Sequence, residues 1–310
     1  MIMEKYILGI DIGGTRIRLG LVDRRYRLYR EKAEFMANYD MDHFLPSLFE
    51  IIGGYISETS CGKDLAAISV GVPATVSKDK KVVLSTPNVQ GLNNVRLPEV
   101  LEKQFGLRTF MDRDVNFLLY HDAEKLKIPP EENVIACYMG TGIGNVIRLN
   151  GRVLSGRTGT ACELGHIPVA GNRRPCVCGN IGCVETVASG KYLTQLCEQT
   201  FHDPDIANVF VNHGQAAQIR EFVEVMAIPV ATEINIFDPD CVIIGGGILA
   251  MRGFPRQVFE DHILDHVRTP FPRQGLVLKY ATDDAFGGVR GAGMYAFDQI
   301  KEDTNVSIYR

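Results

Sequence analysis

Polar and apolar positions alternate in the stretch that follows Thr15: Arg16, Arg18 and Gly20 interleave with Ile17, Leu19 and Leu21. A period of two marks a half-buried strand. An apolar run, YILGIDI, precedes it, and GGT joins the two runs. Residues 6–23 therefore predict a β-hairpin with glycines at the bend. VIACYMGTGIGNVIRLNG, residues 134–151, repeats the design. A dinucleotide-binding turn would open a helix after its glycines, and a second strand run here excludes that reading. A third glycine cluster closes an apolar run in DCVIIGGGIL, residues 240–249.

Between these runs the period lengthens. Residues 42–56, 114–126 and 216–237 predict amphipathic helices, the last with Ile219, Phe222, Val223, Met226, Val230 and Ile234 on one face. Pro229 is expected to kink it. The alternation defines an α/β protein with two similar halves, each opening on a hairpin. The expected division is a smaller domain of residues 1–117 plus a C-terminal helix, 287–310, and a larger domain of residues 118–286.

Composition narrows the function classes. The chain has 310 residues, 45% hydrophobic and 23% charged, which is ordinary for a globular protein and long enough for two domains. The net charge of -4 and the lack of a basic run argue against nucleic acid as a partner. No apolar run is long enough for a bilayer, and MIMEKYILGIDIGG lacks the features of a signal peptide. The expected location is the cytoplasm, where a disulfide does not persist.

Glycine turns let backbone N–H groups approach a phosphate closely. Gly13, Gly14 and Thr15 fit that use in the first hairpin, and Gly140, Thr141, Gly142 and Gly144 in the second. Asp11 beside the first turn would repel phosphate unless Mg²⁺, through its waters, lies between them. Either turn alone reads better as an ordinary hairpin bend. The matched pair, with Gly245, Gly246 and Gly247 after a third strand, points to a nucleotide.

The segment ELGHIPVAGNRRPCVCGNIGCVETV, residues 163–187, gathers His166, Cys176, Cys178 and Cys183. Cys176 and Cys178 are too close for a relaxed disulfide. One imidazole and three thiolates make a complete tetrahedral set for Zn²⁺, with no open position, so the metal would be structural. Three thiols without a metal are the alternative. Closure around an ion would bring Glu163 and Glu185 near one point, where carboxylates can accept hydrogen bonds from sugar hydroxyls. Two surface glutamates are the plainer reading. Cys61, Cys137, Cys162, Cys197 and Cys241 are scattered and read as packing residues.

Together, GIDIGGTRIRLGLVD, STPN at 85–88, MGTGIG, ELGHIPV, CVCGNIGCVE and DPDCVIIGGG resemble the ROK sugar kinases and repressors, within the actin, hexokinase and heat-shock ATPase superfamily. The resemblance spans essentially the whole chain. It implies a two-domain actin/hexokinase-like ATPase fold with a hexose in the cleft, ATP with Mg²⁺, a structural Zn²⁺ and a homodimer. It implies phosphorylation of the sugar at its C6 hydroxyl, with Asp114 as catalytic base. From the residues alone, Asp114 reads equally as a helix N-cap. Asn88, Glu163, His166 and Glu185 are the implied sugar contacts, His166 serving zinc and sugar together. The glycines of DPDCVIIGGG would face the adenosine.

Arg113 departs from the family's usual Asn before the base. RDVN, STPN, INIFDPD and GVPAT most resemble the D-allose kinases, while glucose, fructose, mannose and N-acetylhexosamines stay open as substrates. Arg113 is either a substrate-binding residue that reshapes the sugar site or the partner of a carboxylate such as Asp112 or Asp114. The family's other branch, sugar-responsive repressors, carries a helix-turn-helix ahead of the first hairpin, and about five residues precede that hairpin here. A zinc-stabilised sugar-binding module without turnover is a third reading.

Overall fold

The computed structural model describes residues 5–87 and 89–308, with side chains described through Glu302. Packing divides the chain into two units. The first runs to Lys127 and also takes residues 155–161 and everything from Asp284 on. The second comprises 128–154 and 162–283. Residue 117, the expected boundary, lies within a helix, and the division falls after that helix ends.

In the first unit, β1 (Tyr6–Ile12) and β2 (Arg16–Asp23) form the hairpin that the alternation predicts, and β3 (Leu28–Phe35), which it does not, extends it to an antiparallel meander. Helix α1 (Phe44–Thr59) then leads to β4 (Leu65–Val72), which pairs parallel with β1. A short hairpin, β5 (Thr75–Val76) and β6 (Val83–Ser85), precedes α2 (Leu97–Phe105), β7 (Thr109–Arg113) and α3 (Asp114–Lys125). The sheet order is β3-β2-β1-β4-β7. Register places Asp11 beside Gly71, and Gly71 beside Asp112, across three parallel strands. The carboxyl ends of those strands therefore carry Asp11 and Asp112, and Asp114 follows at the start of α3, so acidic residues gather there. Asp11 and Asp114 form an acidic row.

The second unit repeats the plan with β8 (Val134–Met139), β9 (Ile143–Leu149) and β10 (Arg152–Val153) as the meander. Helices α4 (Glu185–Ala188), α5 (Gly190–Leu196), α6 (Val209–Asn212) and α7 (Ala217–Phe237) come next, then β11 (Cys241–Gly245), α8 (Arg256–His266) and β12 (Leu278–Tyr280). The order β10-β9-β8-β11-β12 matches the first sheet strand for strand. The apolar stripe of α7, including Ile219, Phe222, Met226, Val230 and Ile234, is buried, and the helix continues through Pro229. Cys61, Cys137, Cys197 and Cys241 are buried thiols, as their apolar surroundings predict.

Helix α9 (Gly287–Ile308) returns the chain to the first unit. Its glycines set how near it comes. A Cβ on Gly291 would overlap the Phe117 carbonyl of α3, and one on Gly293 would meet Val22 of β2. One on Gly288 would lie 2.8 Å from the Asp11 carboxyl carbon. The helix thus lies with its backbone against α3, β1 and β2, where no side chain fits.

This packing separates two kinds of glycine. Gly291→Ala is expected to destabilise the protein by about 2–3 kcal/mol, because backbone must move to admit a methyl group. Gly54→Ala, in α1 with nothing near its added Cβ, is expected to stabilise by about 0.5–1 kcal/mol through helix propensity. Urea midpoints of the two variants measure both.

Candidate functional site

Asp11 stands near the end of β1, where the β-hairpin register sets it opposite Arg18. The guanidinium Nη1 of Arg18 lies 3.4 Å from the Asp11 Oδ2, and both side chains are largely shielded. Burial raises the Asp11 carboxyl above the ordinary aspartate range, and Arg18 opposes that shift without cancelling it. Beyond Asp11 the turn closes through a Gly13 N–H bond to the Arg16 carbonyl at 2.9 Å. Gly14 and Thr15 are exposed at its tip.

Asp114 is the first residue of α3, behind Arg113, and its Oδ1 accepts the N–H of Val115 at 2.8 Å. The cap position belongs to Arg113, whose side chain makes no cap bond, so the N-cap reading of Asp114 does not hold. Gly71 lies behind it: a Cβ there would be 3.4 Å from the Asp114 Cα. Burial pushes the Asp114 carboxyl up to about 7, the negative Asp11 adds to the shift, and the Val115 N–H and Arg113 charge pull it back. Two carboxyls in one unit, both raised by burial and Asp114 further by the charge of Asp11, are poised for a cation or a proton.

The flanking residues face elsewhere. Asp112 is buried, and its Oδ1 accepts the Arg113 N–H at 2.9 Å and Asn116 Nδ2 at 2.7 Å. Its Oδ2 lies 2.6 Å from Lys80 Nζ, which also donates to the Tyr295 hydroxyl at 3.1 Å. Burial alone would depress the Lys80 ammonium, but Asp112 and Tyr295 raise it. Asp112 is therefore the partner of Lys80, while Arg113 Nη1 donates to the Ala161 carbonyl at 2.8 Å.

In the second unit the β8–β9 turn is held from below. Gly140 N–H donates to the Gly142 carbonyl at 2.9 Å. The N–H groups of Gly190 and Lys191, at the start of α5, donate to the carbonyls of Gly140 and Thr141 at 2.8 and 3.2 Å. Gly144 lies within β9 opposite Tyr138 and is a strand residue rather than part of the turn. Glu185 reaches this turn: its Oε2 accepts the Ile143 N–H at 2.8 Å. A Cβ on Gly142 or Gly165 would come within 2.5 or 3.0 Å of that oxygen. These two glycines make room for the carboxylate. Nothing local in the sequence marks Gly165 for this use, since its neighbour Glu185 is distant in the chain.

The third cluster divides in two. Gly245 is buried, with Ala281 and Tyr138 where its side chain would stand, so packing explains it. Gly246 has φ +102° and lies against the backbone of Met139, a place and a dihedral only glycine tolerates. Gly247 alone is exposed with open space around it.

The cysteine segment folds into a compact loop tied by Cys176 N–H to Asn180 O at 2.8 Å and Val169 N–H to Gly182 O at 2.9 Å. One donor atom each from His166, Cys176, Cys178 and Cys183 lie within 4.8 Å of one another. Cys178 Sγ and Cys183 Sγ are 3.7 Å apart, and Cys176 Sγ and His166 Nδ1 are 3.6 Å apart. A tetrahedron with zinc–ligand lengths has edges of about 3.8 Å between sulfurs and about 3.5 Å from sulfur to nitrogen. The donor set and spacing fit such an ion. His166 Nε2 points the other way, 3.7 Å from Glu163 Oε2. Asn88, the remaining expected sugar contact, lies outside the described residues.

The sequence pattern of the ROK family matches residues 7–299, and the chain belongs to that family. Its glucokinase relative from Thermotoga maritima is 27% identical over 285 residues, covering 86% of this chain and 89% of that one. An N-acetyl-D-glucosamine kinase of Escherichia fergusonii is 27% identical over 92% of this chain and 97% of its own. Among solved structures, a ROK glucokinase from Streptomyces griseus in complex with glucose and AMPPNP superposes with a TM-score of 0.78 at 23% identity. That match covers 94% of this chain and 98% of the other, and it shows the shared fold.

The Asp11–Asp114 pair yields a direct test. In a titration followed by ¹³C NMR of labelled aspartate, the Asp114 carboxyl is expected to change protonation near pH 7. Asp11→Asn should lower that midpoint by removing the like charge. Because the folded-state value is raised, the contribution of Asp114 to stability is full below the unfolded value near pH 4 and is lost as pH rises through about 7.

Proposed function

We propose that the protein is an ATP-dependent hexose kinase that phosphorylates the C6 hydroxyl, with D-allose as its preferred sugar. The observation that carries the reading is the Asp114 carboxyl, raised to about 7 beside Asp11 at the strand ends. Phosphoryl transfer asks a protein mainly for positioning and for charge stabilisation. A base with that pKa can take the hydroxyl proton as the bond to phosphorus forms and still be largely ionised slightly above neutrality.

The roles follow from chemistry. Asp114 accepts the proton of the C6 oxygen, which attacks the γ-phosphorus, and the β–γ bridging oxygen leaves with ADP. The N–H groups of Gly13, Gly14 and Thr15, and those of Gly140, Thr141 and Gly142, bind phosphate oxygens. Mg²⁺, carried with the nucleotide, would spread the charge of the transferring group, with Asp11 placed to hold its waters. The open face at Gly247 accepts the adenosine. Glu163, Glu185 and His166 Nε2 bind sugar hydroxyls, and Asn88 joins them. Zn²⁺ on His166 Nδ1, Cys176, Cys178 and Cys183 would pin both ends of the 163–185 segment and so preset the two glutamates. D-Allose is favoured by the RDVN, STPN, INIFDPD and GVPAT stretches.

A hexose panel with Mg·ATP tests the substrate: the highest kcat/KM is expected for D-allose, and a higher value for glucose, mannose, fructose or an N-acetylhexosamine refutes that choice. Asp114→Asn should lower kcat by about 10²–10⁴-fold with sugar KM little changed. The wild-type rate should climb with pH through about 7 and then level, because only the ionised carboxylate is the base.

The metal proposal is tested separately. Elemental analysis is expected to find one zinc per chain, and Cys178→Ser should lose it with a lower Tm and a raised sugar KM. Full zinc content in that variant would refute the ligand assignment.

A further inference from the structure

Residues 155–161 leave the second unit, pack with the first, and return at Cys162. They close on themselves through the Ala161 N–H bond to the Ser155 carbonyl at 3.3 Å. The tip of this strap is Gly159, at φ +97°. A side chain there would overlap the Val76 carbonyl and lie 2.6 Å from the Lys78 nitrogen, so the tip sits directly on the β5–β6 turn. Two residues on, Lys80 of that turn holds Asp112 at 2.6 Å. Next to Asp112, Arg113 Nη1 donates to the Ala161 carbonyl at 2.8 Å. The contacts form a closed circuit: β7 end, β5–β6 turn, strap tip, strap end, β7 end.

The strap's last residue is joined directly to a strained one. Cys162 has φ +68°, a left-handed backbone that a non-glycine residue adopts at a cost. Glu163 comes next, and the turn Leu164–His166 closes through the His166 N–H bond to the Glu163 carbonyl at 3.0 Å. A strained residue keeps its conformation only when the chain is held on both sides. On one side stand the His166 turn and the cysteine loop. On the other the charged bond from Arg113 is the side-chain tie on the strap's last carbonyl.

We infer that Arg113 is a positioning residue: it anchors the 155–161 strap through the Ala161 carbonyl and thereby fixes the approach of Glu163 to the sugar. This inference rests on the sugar-binding role proposed for Glu163 and assigns Arg113 a backbone partner instead of the substrate. The bond is made from the far end of the Arg113 side chain, so a residue beside Asp114 serves as a tether to a segment 48 residues on. The tether acts on sugar affinity and leaves the proton transfer to Asp114.

Two readouts on the intact zinc-loaded chain test it. In Arg113→Met, amide hydrogen exchange across 155–163 should speed up about tenfold or more, the effect of losing a charge-assisted bond, with exchange elsewhere unchanged. Sugar KM should rise by a similar factor, while kcat and the KM for Mg·ATP stay within about twofold. Arg113→Lys, which keeps a charged donor, should restore part of both effects. Unchanged exchange in the strap overturns the inference, whether or not KM moves, since a KM change alone would mean direct contact with the sugar. Faster exchange with unchanged sugar KM overturns it as well. If wild-type protein turns over no hexose, the kinase reading falls, and the exchange measurement still decides whether Arg113 holds the strap.

Discussion

The backbone of α9 lies against α3, β1 and β2 at a distance that only glycine permits. Gly291 leaves the Phe117 carbonyl where a methyl group would be, and Gly288 does the same at the Asp11 carboxyl. On the sheet side, Gly71 of β4 lets the start of α3 come close, with Asp114 Cα 3.4 Å from where a Cβ would stand. The raised carboxyl of Asp114 results from that crowding: water is excluded and a like charge is near.

The second unit solves a related problem with the opposite tool. There a carboxylate is held by a donor instead of being pressed against a like charge. Glu185 accepts the Ile143 N–H, and Gly142 and Gly165 leave its oxygen room. Two residues earlier in the chain, Cys183 contributes a sulfur 3.7 Å from Cys178. One short segment therefore joins the β8–β9 turn to the four-donor cluster, and a shift in either is felt by the other. Partial burial of the Glu185 carboxylate is tolerable because a backbone donor offsets part of its lost hydration.

Three consecutive residues at the β7–α3 junction face three ways. Asp112 goes to Lys80, Arg113 to the strap and Asp114 to the acidic row. The change from strand to helix makes this possible, since side chains that alternate across a strand begin to rotate by the helical period at the next residue. The buried Lys80–Asp112 pair is satisfied on several sides, by Asn116, Tyr295 and the Arg113 N–H, which is the condition for such a pair to be tolerable.

Much of this fold is legible in the order of residues. Alternation in 16–22 and the repeat at 134–151 determined two hairpins and hence two like halves, because strand period and glycine bends are local properties. The donor types and spacing of His166, Cys176, Cys178 and Cys183 were equally local, and folding brought all four together. What the chain alone left open depends on neighbours distant in sequence. Gly144 and Gly245 look like turn glycines in a string of letters, but strand pairing and the presence of Tyr138 and Ala281 make them sheet residues. Asp114 reads as a helix cap in the sequence, but Arg113 takes the cap position, and burial with the nearby Asp11 raises the Asp114 carboxyl. That Lys80 takes Asp112, and that Arg113 reaches the Ala161 carbonyl of a strap 48 residues on, could likewise not be read from their neighbours in the chain. Period and ligand chemistry are written residue by residue; desolvation and long-range partners exist only once the chain has packed.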